Sequence, residues 1–213
     1  MMQLIVFTPN FYQKYKLQLW LVLFSVVIFF ILKLFVLDLY RIPSSSMQPT
    51  LVEGDHVIGL KRFILHRGTV VAIERPEDGY IYVKRAIALP GDTVNVKGGL
   101  VFVNEKKLKT IFDNDTKKYR YIENSDVVYE EFNDGRHYFV LYNNVKRPLD
   151  MEKELKISAQ GLFLLGDNRI NSIDSRKWGE VKRSDVISKI VFVWLSIDPD
   201  THHLRWDRVG FIK

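Results

Sequence analysis

The chain has 213 residues, 47% of them hydrophobic and 26% charged, with a formal net charge of +6. That balance excludes a disordered, collagenous or coiled-coil chain, and the length allows one ordinary domain with an appendage or two small domains. The absence of cysteine excludes a disulfide scaffold, a thiol nucleophile and a zinc site built on thiolates.

The first element is an apolar run. From Leu17 to Leu37 only Gln18, Ser25 and Lys33 are not apolar, and this run would make roughly 31 Å of helix, enough for a hydrocarbon core of about 30 Å. A buried core helix usually carries a polar stripe, and this run has none. A cleaved signal peptide would have a shorter apolar region and a small-x-small site after it, which Leu37-Asp38-Leu39-Tyr40-Arg41 does not supply. The run therefore reads as a retained single-pass anchor over 17–37. Lys14 and Lys16 precede it and no acid lies in 1–16. The positive-inside rule then puts 1–16 in the cytoplasm and the body on the outer face. Past residue 41 the chain keeps 27 basic and 24 acidic residues, a weak bias without an arginine-rich run, so nucleic-acid binding loses its main support.

The body reads as mainly β. Short β-branched or aromatic runs at His56 to Ile58, Gly68 to Ile73 and Tyr80 to Ile87 lie between breakers. Asp92 to Val96, a Lys97-Gly98-Gly99 turn and Leu100 to Val103 predict a hairpin. Val127 to Phe132 and His137 to Tyr142, joined through Asn133-Asp134-Gly135, predict another. Gly161 to Leu165 and Val186 to Ile197 are apolar enough for central strands. Residues 106–156 are richer in charge and turn formers and read as a smaller β-rich inserted lobe. It would divide a catalytic core of 38–105 and 157–213.

Three stretches carry chemistry. In Ile42-Pro43-Ser44-Ser45-Ser46-Met47-Gln48-Pro49-Thr50-Leu51 two prolines fix the backbone around three hydroxyls. A serine-rich linker would share that composition, but linkers rarely carry Ile, Met and Leu at such regular positions. In Tyr82 to Asp92, strand alternation puts Lys84 and Arg85 on opposite faces, so one solvated side cannot explain both. Either this is an edge strand with both heads snorkelling, or Lys84 is a desolvated lysine whose lowered pKa makes it a base. The third stretch packs eight hydrogen-bonding side chains into the ten positions from Asp167 to Arg176, suited to internal ion pairs that stiffen a loop beside a site. The five histidines sit in no G-x-S-x-G elbow, no S-x-x-K starts at Ser44, Ser45 or Ser46, and His202-His203 would point to opposite faces of a strand, so no metal is expected.

Together these stretches resemble the nucleophile, lysine and third boxes of bacterial type I signal peptidases, membrane-anchored serine proteases with a Ser/Lys dyad. Leu204-Arg205-Trp206-Asp207-Arg208-Val209-Gly210 is similar to that family's C-terminal signature. The resemblance implies a membrane-anchored all-β catalytic domain that removes signal peptides from exported preproteins without a cofactor. It also implies single-pass residence in the bacterial cytoplasmic membrane, near the secretion translocon. It implies Ser46 as nucleophile, Lys84 as general base, Ser44 as side-chain donor of the oxyanion hole and Ser172 as the residue orienting the lysine. Arg85 with Asp167, and Asp174 with Arg176, would support the site. The chain departs from the family pattern at Ile170, Thr69, Ala88 and Ser45, where aspartate, aspartate, glycine and glycine are usual. A specialised or self-cleaving Ser/Lys protease would share the dyad, and an idle membrane-bound binding module would share the fold.

Overall fold

The computed structural model describes residues 9–113, 126–143 and 150–212. The start of the N-terminal segment and parts of the 106–156 segment therefore lie outside the described residues. Contacts divide the chain into two units between Leu37 and Asp38. The first holds helix α1 (Pro9–Phe35), 27 residues or about 40 Å long, which is long and apolar enough to cross a membrane over Gln13–Ile31. Within it the Ser25 hydroxyl donates to the Leu21 carbonyl at 2.8 Å, so this polar group is satisfied inside the helix.

The second unit is mainly β. Its strands are β1 (Leu37–Arg41), β2 (Asp55–Leu60), β3 (Val70–Glu74), β4 (Ile81–Ala88), β5 (Thr93–Lys97), β6 (Leu100–Val103), β7 (Lys106–Lys107) and β8 (Lys109–Phe112). They continue as β9 (Asp126–Asn133), β10 (Arg136–Asn143), β11 (Leu155–Lys156), β12 (Gly161–Leu165), β13 (Val181–Lys182), β14 (Val186–Ser196) and β15 (Gly210–Phe211). One helical turn, α2 (Ser175–Trp178), closes the third chemical stretch. Among the described residues the strands form three sheets. The largest runs β1-β2-β14-β3-β4-β12-β13 with β15 on β14, and the others run β10-β9-β8 and β11-β5-β6-β7. Strand β14 pairs with both β2 and β3, and its register breaks repeatedly; such bulges bend and twist a strand, so the large sheet curls. Both expected hairpins form. Gly98 and Gly99 sit at φ 58° and 75°, the left-handed pair that a two-residue turn needs and glycine adopts without strain.

Strand β4 is not an edge. It lies between β3 and β12, so Lys84 and Arg85 are 2% and 0% exposed and neither head snorkels. Among the described residues three apolar clusters fix the sheets. One joins Ile42, Met47 and Leu51 to Val57, Val70 and Ile190, which explains the regular apolar positions around the serines: they anchor the loop in the core. A second packs Val71, Ile73 and Ala86 against Leu162 and Leu164. The third draws Ile87 and Phe163 together with Val94, Val101, Tyr138 and Val140, so all three sheets share one continuous interior near β4 and β12.

Candidate active site

The serine loop, β4 and the loop after β12 meet at one point. Ser46 lies in a short 3-10 turn (Ser45–Met47), with Met47 and Leu51 beside it 1% and 0% exposed, so two buried side chains hold the turn from below. The Lys84 amine donates to Ser46 Oγ at 2.8 Å. Ser44 Oγ lies 3.3 Å from Ser46 Oγ and is exposed, so its hydroxyl is available to a bound group. Burial lowers the Lys84 pKa from 10.5 to about 8; the negative charges of Asp174 and Asp167 oppose the fall and the Arg176 charge assists it. A lysine with that pKa is partly neutral near physiological pH, and a neutral amine in hydrogen-bond contact with a serine can take its proton.

Around this pair the charges are matched. Arg85 donates to Asp167 from Nε and Nη2 at 2.7 and 2.6 Å and to the Gly68 carbonyl at 2.7 Å. Its guanidinium lies 4.0 Å from the centre of the Tyr138 ring. Thr50 donates to the same Asp167 carboxylate at 2.6 Å, so the Arg85–Asp167 pair ties the serine loop to the loop after β12. Arg176 holds Asp174 through Nε and Nη2 at 2.8 and 2.7 Å, while the Gly166 N–H donates to Asp174 at 3.0 Å. Burial pushes the Asp174 carboxyl up, but Arg176, the Gly166 N–H and the nearby Ser172 hydroxyl outweigh it and hold the group below its usual range. Asp174 thus links Arg176 to the Gly166 backbone within the loop.

Ser172 lines the same cavity as Ser46 and Lys84. Its Oγ is buried and makes no hydrogen bond of standard geometry among the described residues; it lies close enough to Asp174 to help hold that carboxyl ionised. Gly166 lies beneath it. A Cβ there would fall 2.2 Å from Ser172 Oγ and 2.5 Å from the Ser46 carbonyl oxygen, so only glycine lets the two loops approach this closely.

The sequence reading missed Glu131 and Asp55, and it gave Asn168, Arg169, Asn171 and Arg208 no individual partners. Glu131 in β9 receives Arg169 through Nη1 and Nη2, both at 2.6 Å, and the Tyr138 hydroxyl at 2.8 Å. Asn168 donates its backbone N–H to the Ser46 carbonyl at 3.1 Å and its side-chain amide to the Ser45 carbonyl at 3.2 Å. Asn171 donates to Ser45 Oγ at 2.9 Å, so the serine at position 45 gains a contact that glycine could not make. Asp55, 0% exposed, receives Ser196 Oγ, the Val52 N–H and Arg208; Arg208 also donates to the Thr50 carbonyl at 2.9 Å. The C-terminal signature therefore acts as a brace for the serine loop. Thr69, in place of aspartate, accepts the His66 N–H at 3.2 Å and so still closes that turn, and Ala88 is fully buried opposite Phe163.

Two cavities share Ser44, Ser46, Tyr82 and Lys84. One, of about 480 Å³, is walled by β1, the serine loop and the start of β4, with Ile42, Met47 and Val83 in its lining. The other, of about 840 Å³, opens toward Gly98, Gly99, Ile170 and Ile173. The Ser46–Lys84 pair borders both. Among the described residues no group of acids and histidines is placed to hold a metal ion.

The sequence has known relatives. A family model described as signal peptidase, peptidase S26, matches residues 16–195, a span that takes in the serine loop, β4 and the loop after β12. Signal peptidase I of Buchnera aphidicola subsp. Acyrthosiphon pisum is 30% identical over 242 residues, covering 86% of this chain and 77% of that protein. Signal peptidase I of Pseudomonas aeruginosa is 30% identical over 224 residues, covering 90% of this chain and 76% of its own. A crystal structure of a signal peptidase I from Enterococcus faecalis V583 covers 60% of this chain and 97% of its own at 25% identity, with a TM-score of 0.38. With a family match that runs from within the apolar helix into β14 and reaches all three chemical stretches, the chain belongs to the peptidase S26 family of signal peptidases, which are serine endopeptidases.

Proposed function

We propose that the protein removes signal peptides from exported preproteins with Ser46 as nucleophile and Lys84 as general base. The observation that carries this reading is the 2.8 Å contact of a buried amine with a serine hydroxyl, combined with the lowered pKa of about 8. At pH 7 such an amine is neutral in about a tenth of molecules, against about 0.03% for an unperturbed lysine. As Ser46 Oγ attacks the scissile carbonyl, its proton passes to Lys84 Nζ. The oxyanion that forms meets the Ser46 N–H and the Ser44 hydroxyl. The Lys84 ammonium then protonates the leaving amine, and the acyl group stays on Ser46 as an ester. Water, giving its proton to the now neutral Lys84, hydrolyses that ester and restores the pair. Arg85, Asp167, Asp174 and Arg176 keep the loops in register and stay outside the chemistry.

The acyl side of the substrate lies extended in the 480 Å³ groove beside β1 and β4, adding to a strand edge. The apolar wall there suits small residues before the cut, as in an Ala-x-Ala signal-peptide end. Helix α1 holds the enzyme in the cytoplasmic membrane with its N-terminus inside, and the catalytic body meets preproteins on the outer face near the translocon. Sharing a bilayer with the substrate's apolar segment raises the effective concentration without any new contact. Within the body, 38–105 and 157–213 form the catalytic core and 106–156 the added lobe.

The test is cleavage of a secretory precursor bearing an Ala-x-Ala end by the full chain in detergent, alongside Ser46→Ala and Lys84→Ala. Cutting after the last alanine by the wild type alone supports the dyad and the substrate class together. Cutting that survives Ser46→Ala refutes the assigned nucleophile. A wild type that leaves the precursor intact while cutting itself favours the specialised protease.

A further inference from the structure

Position 170 carries isoleucine in a loop otherwise crowded with polar groups, and the cavity it lines is not the groove assigned to the acyl side. Both cavities include Ser44, Ser46, Tyr82 and Lys84; beyond these, one runs along Leu39 to Pro43 and the other along Gly98, Gly99, Ile170 and Ile173, so they leave the reacting serine past different elements. An extended peptide leaves a scissile carbonyl in opposite directions. With its acyl half in the 480 Å³ groove, the residues after the cut must enter the 840 Å³ cavity.

The walls of that cavity are built to hold their shape. On one side the Asp150 carboxylate accepts the N–H groups of Gly98 and Gly99, each at 2.9 Å, and the Tyr142 hydroxyl donates to the Gly99 carbonyl at 2.9 Å. The aspartate is thus engaged in fixing the turn, and the two glycines offer bare backbone to whatever enters. On the other side the Asn171 N–H donates to Asn168 Oδ1 at 3.1 Å, and Arg176 donates to the Arg169 carbonyl. From this stiff loop two isoleucines, three residues apart, reach the cavity. Ile170 is half-buried, while Ile173 remains 57% exposed, apolar surface that no neighbour covers.

We propose that Ile170, with Ile173 and the Gly98–Gly99 turn, forms the subsite for the first residues of the released mature chain, and that Ile170 makes this subsite select an apolar side chain. The proposal rests on the proteolytic reading of Ser46 and Lys84. Its occupant is the mature end of the substrate, because the cavity opens directly from the reacting serine. Strand alternation turns only one of the first two side chains after the cut toward Ile170, so the selection falls on one of those positions and not on both.

The experiment uses the full chain in detergent and peptides with an Ala-x-Ala end. Leu, Gln or Asp is placed at the first position after the cut in one set and at the second position in another. The enzymes are the wild type, Ile170→Val and Ile170→Asp. At one of the two positions, wild type and Ile170→Val prefer Leu over Gln by about tenfold in kcat/KM, the scale of a partly buried aliphatic side chain. Ile170→Asp loses that ratio. Equal kcat/KM for Leu, Gln and Asp at both positions in the wild type overturns the subsite and leaves the protease reading standing. A preference that persists in Ile170→Asp overturns the assignment to Ile170. A wild type that cuts none of the peptides overturns the proteolytic reading and this proposal with it.

Discussion

Replacing Lys84 with methionine removes the charge and keeps much of the side chain's length, and its effect on stability follows from the burial of that lysine. In the unfolded chain Lys84 holds its proton until about pH 10.5, whereas in the folded protein burial brings its pKa to about 8. Between those values the unfolded state binds more protons, so wild-type stability rises with pH through this window. Below pH 8 the protein carries the full cost of a buried ammonium, and above pH 10.5 that cost is gone. A difference of 2.5 pKa units corresponds to about 3 kcal/mol. Lys84→Met has no such dependence. In a body of this size 3 kcal/mol moves Tm by about 6–12 °C. Differential scanning of both proteins in the same detergent, from pH 7 to pH 10.5, should show the melting-temperature gap shifting by that amount in favour of the wild type. Constant packing differences and all other titrating groups cancel in the comparison. A gap independent of pH would mean that the amine is solvated, and would remove the physical basis for its use as a base.

Cleavage should report the same group: kcat/KM falls about tenfold per pH unit below 8 and levels off above it, because only neutral Lys84 accepts the serine proton; a profile flat from pH 6 to 9 refutes this. Ser44→Ala should lower kcat by about a hundred- to thousandfold with little change in melting temperature, as expected for one lost oxyanion donor; a loss below threefold argues that this hydroxyl does not face the oxyanion. Glu131→Ala leaves Arg169 buried without its carboxylate and should destabilise the body by about 3–5 kcal/mol, read by thermal or chemical denaturation, although Glu131 has no place in the chemistry.

Most strands were legible because their signals are local. Gly98-Gly99 and Asp134-Gly135 could make left-handed turns, and the apolar runs of β12 and β14 are too continuous for exposed strands. The three chemical stretches were legible because each concentrates unusual residue types in a short window. The supports were not, since they depend on pairing across the chain. In β9, hydropathy favours Phe132 inside and Glu131 outside, yet Glu131 is 1% exposed and Phe132 only half-buried. The arginine that reverses them, Arg169, lies 38 residues further along. Likewise nothing near Asp55 announces a buried carboxylate; its partners Ser196 and Arg208 are 141 and 153 residues away. The pairing of Lys84 with Ser46 spans 38 residues and was available only through the resemblance.

The brace from Arg208 to Asp55 and Thr50 sets an order of events during synthesis. The serine loop leaves the ribosome early, but the residue that clamps its Thr50 carbonyl follows 158 positions later. Until then Asp55 lacks Arg208, and burying that carboxylate without the partner would cost about 3–5 kcal/mol. A chain that stops short of Arg208 therefore lacks this clamp on Thr50 and Asp55, and its serine loop rests on the remaining ties to Asp167 and Asn168. The segment that carries Ser46 is thus fastened from both directions along the chain, by Met47 and Leu51 beside it and by Arg208 from far downstream.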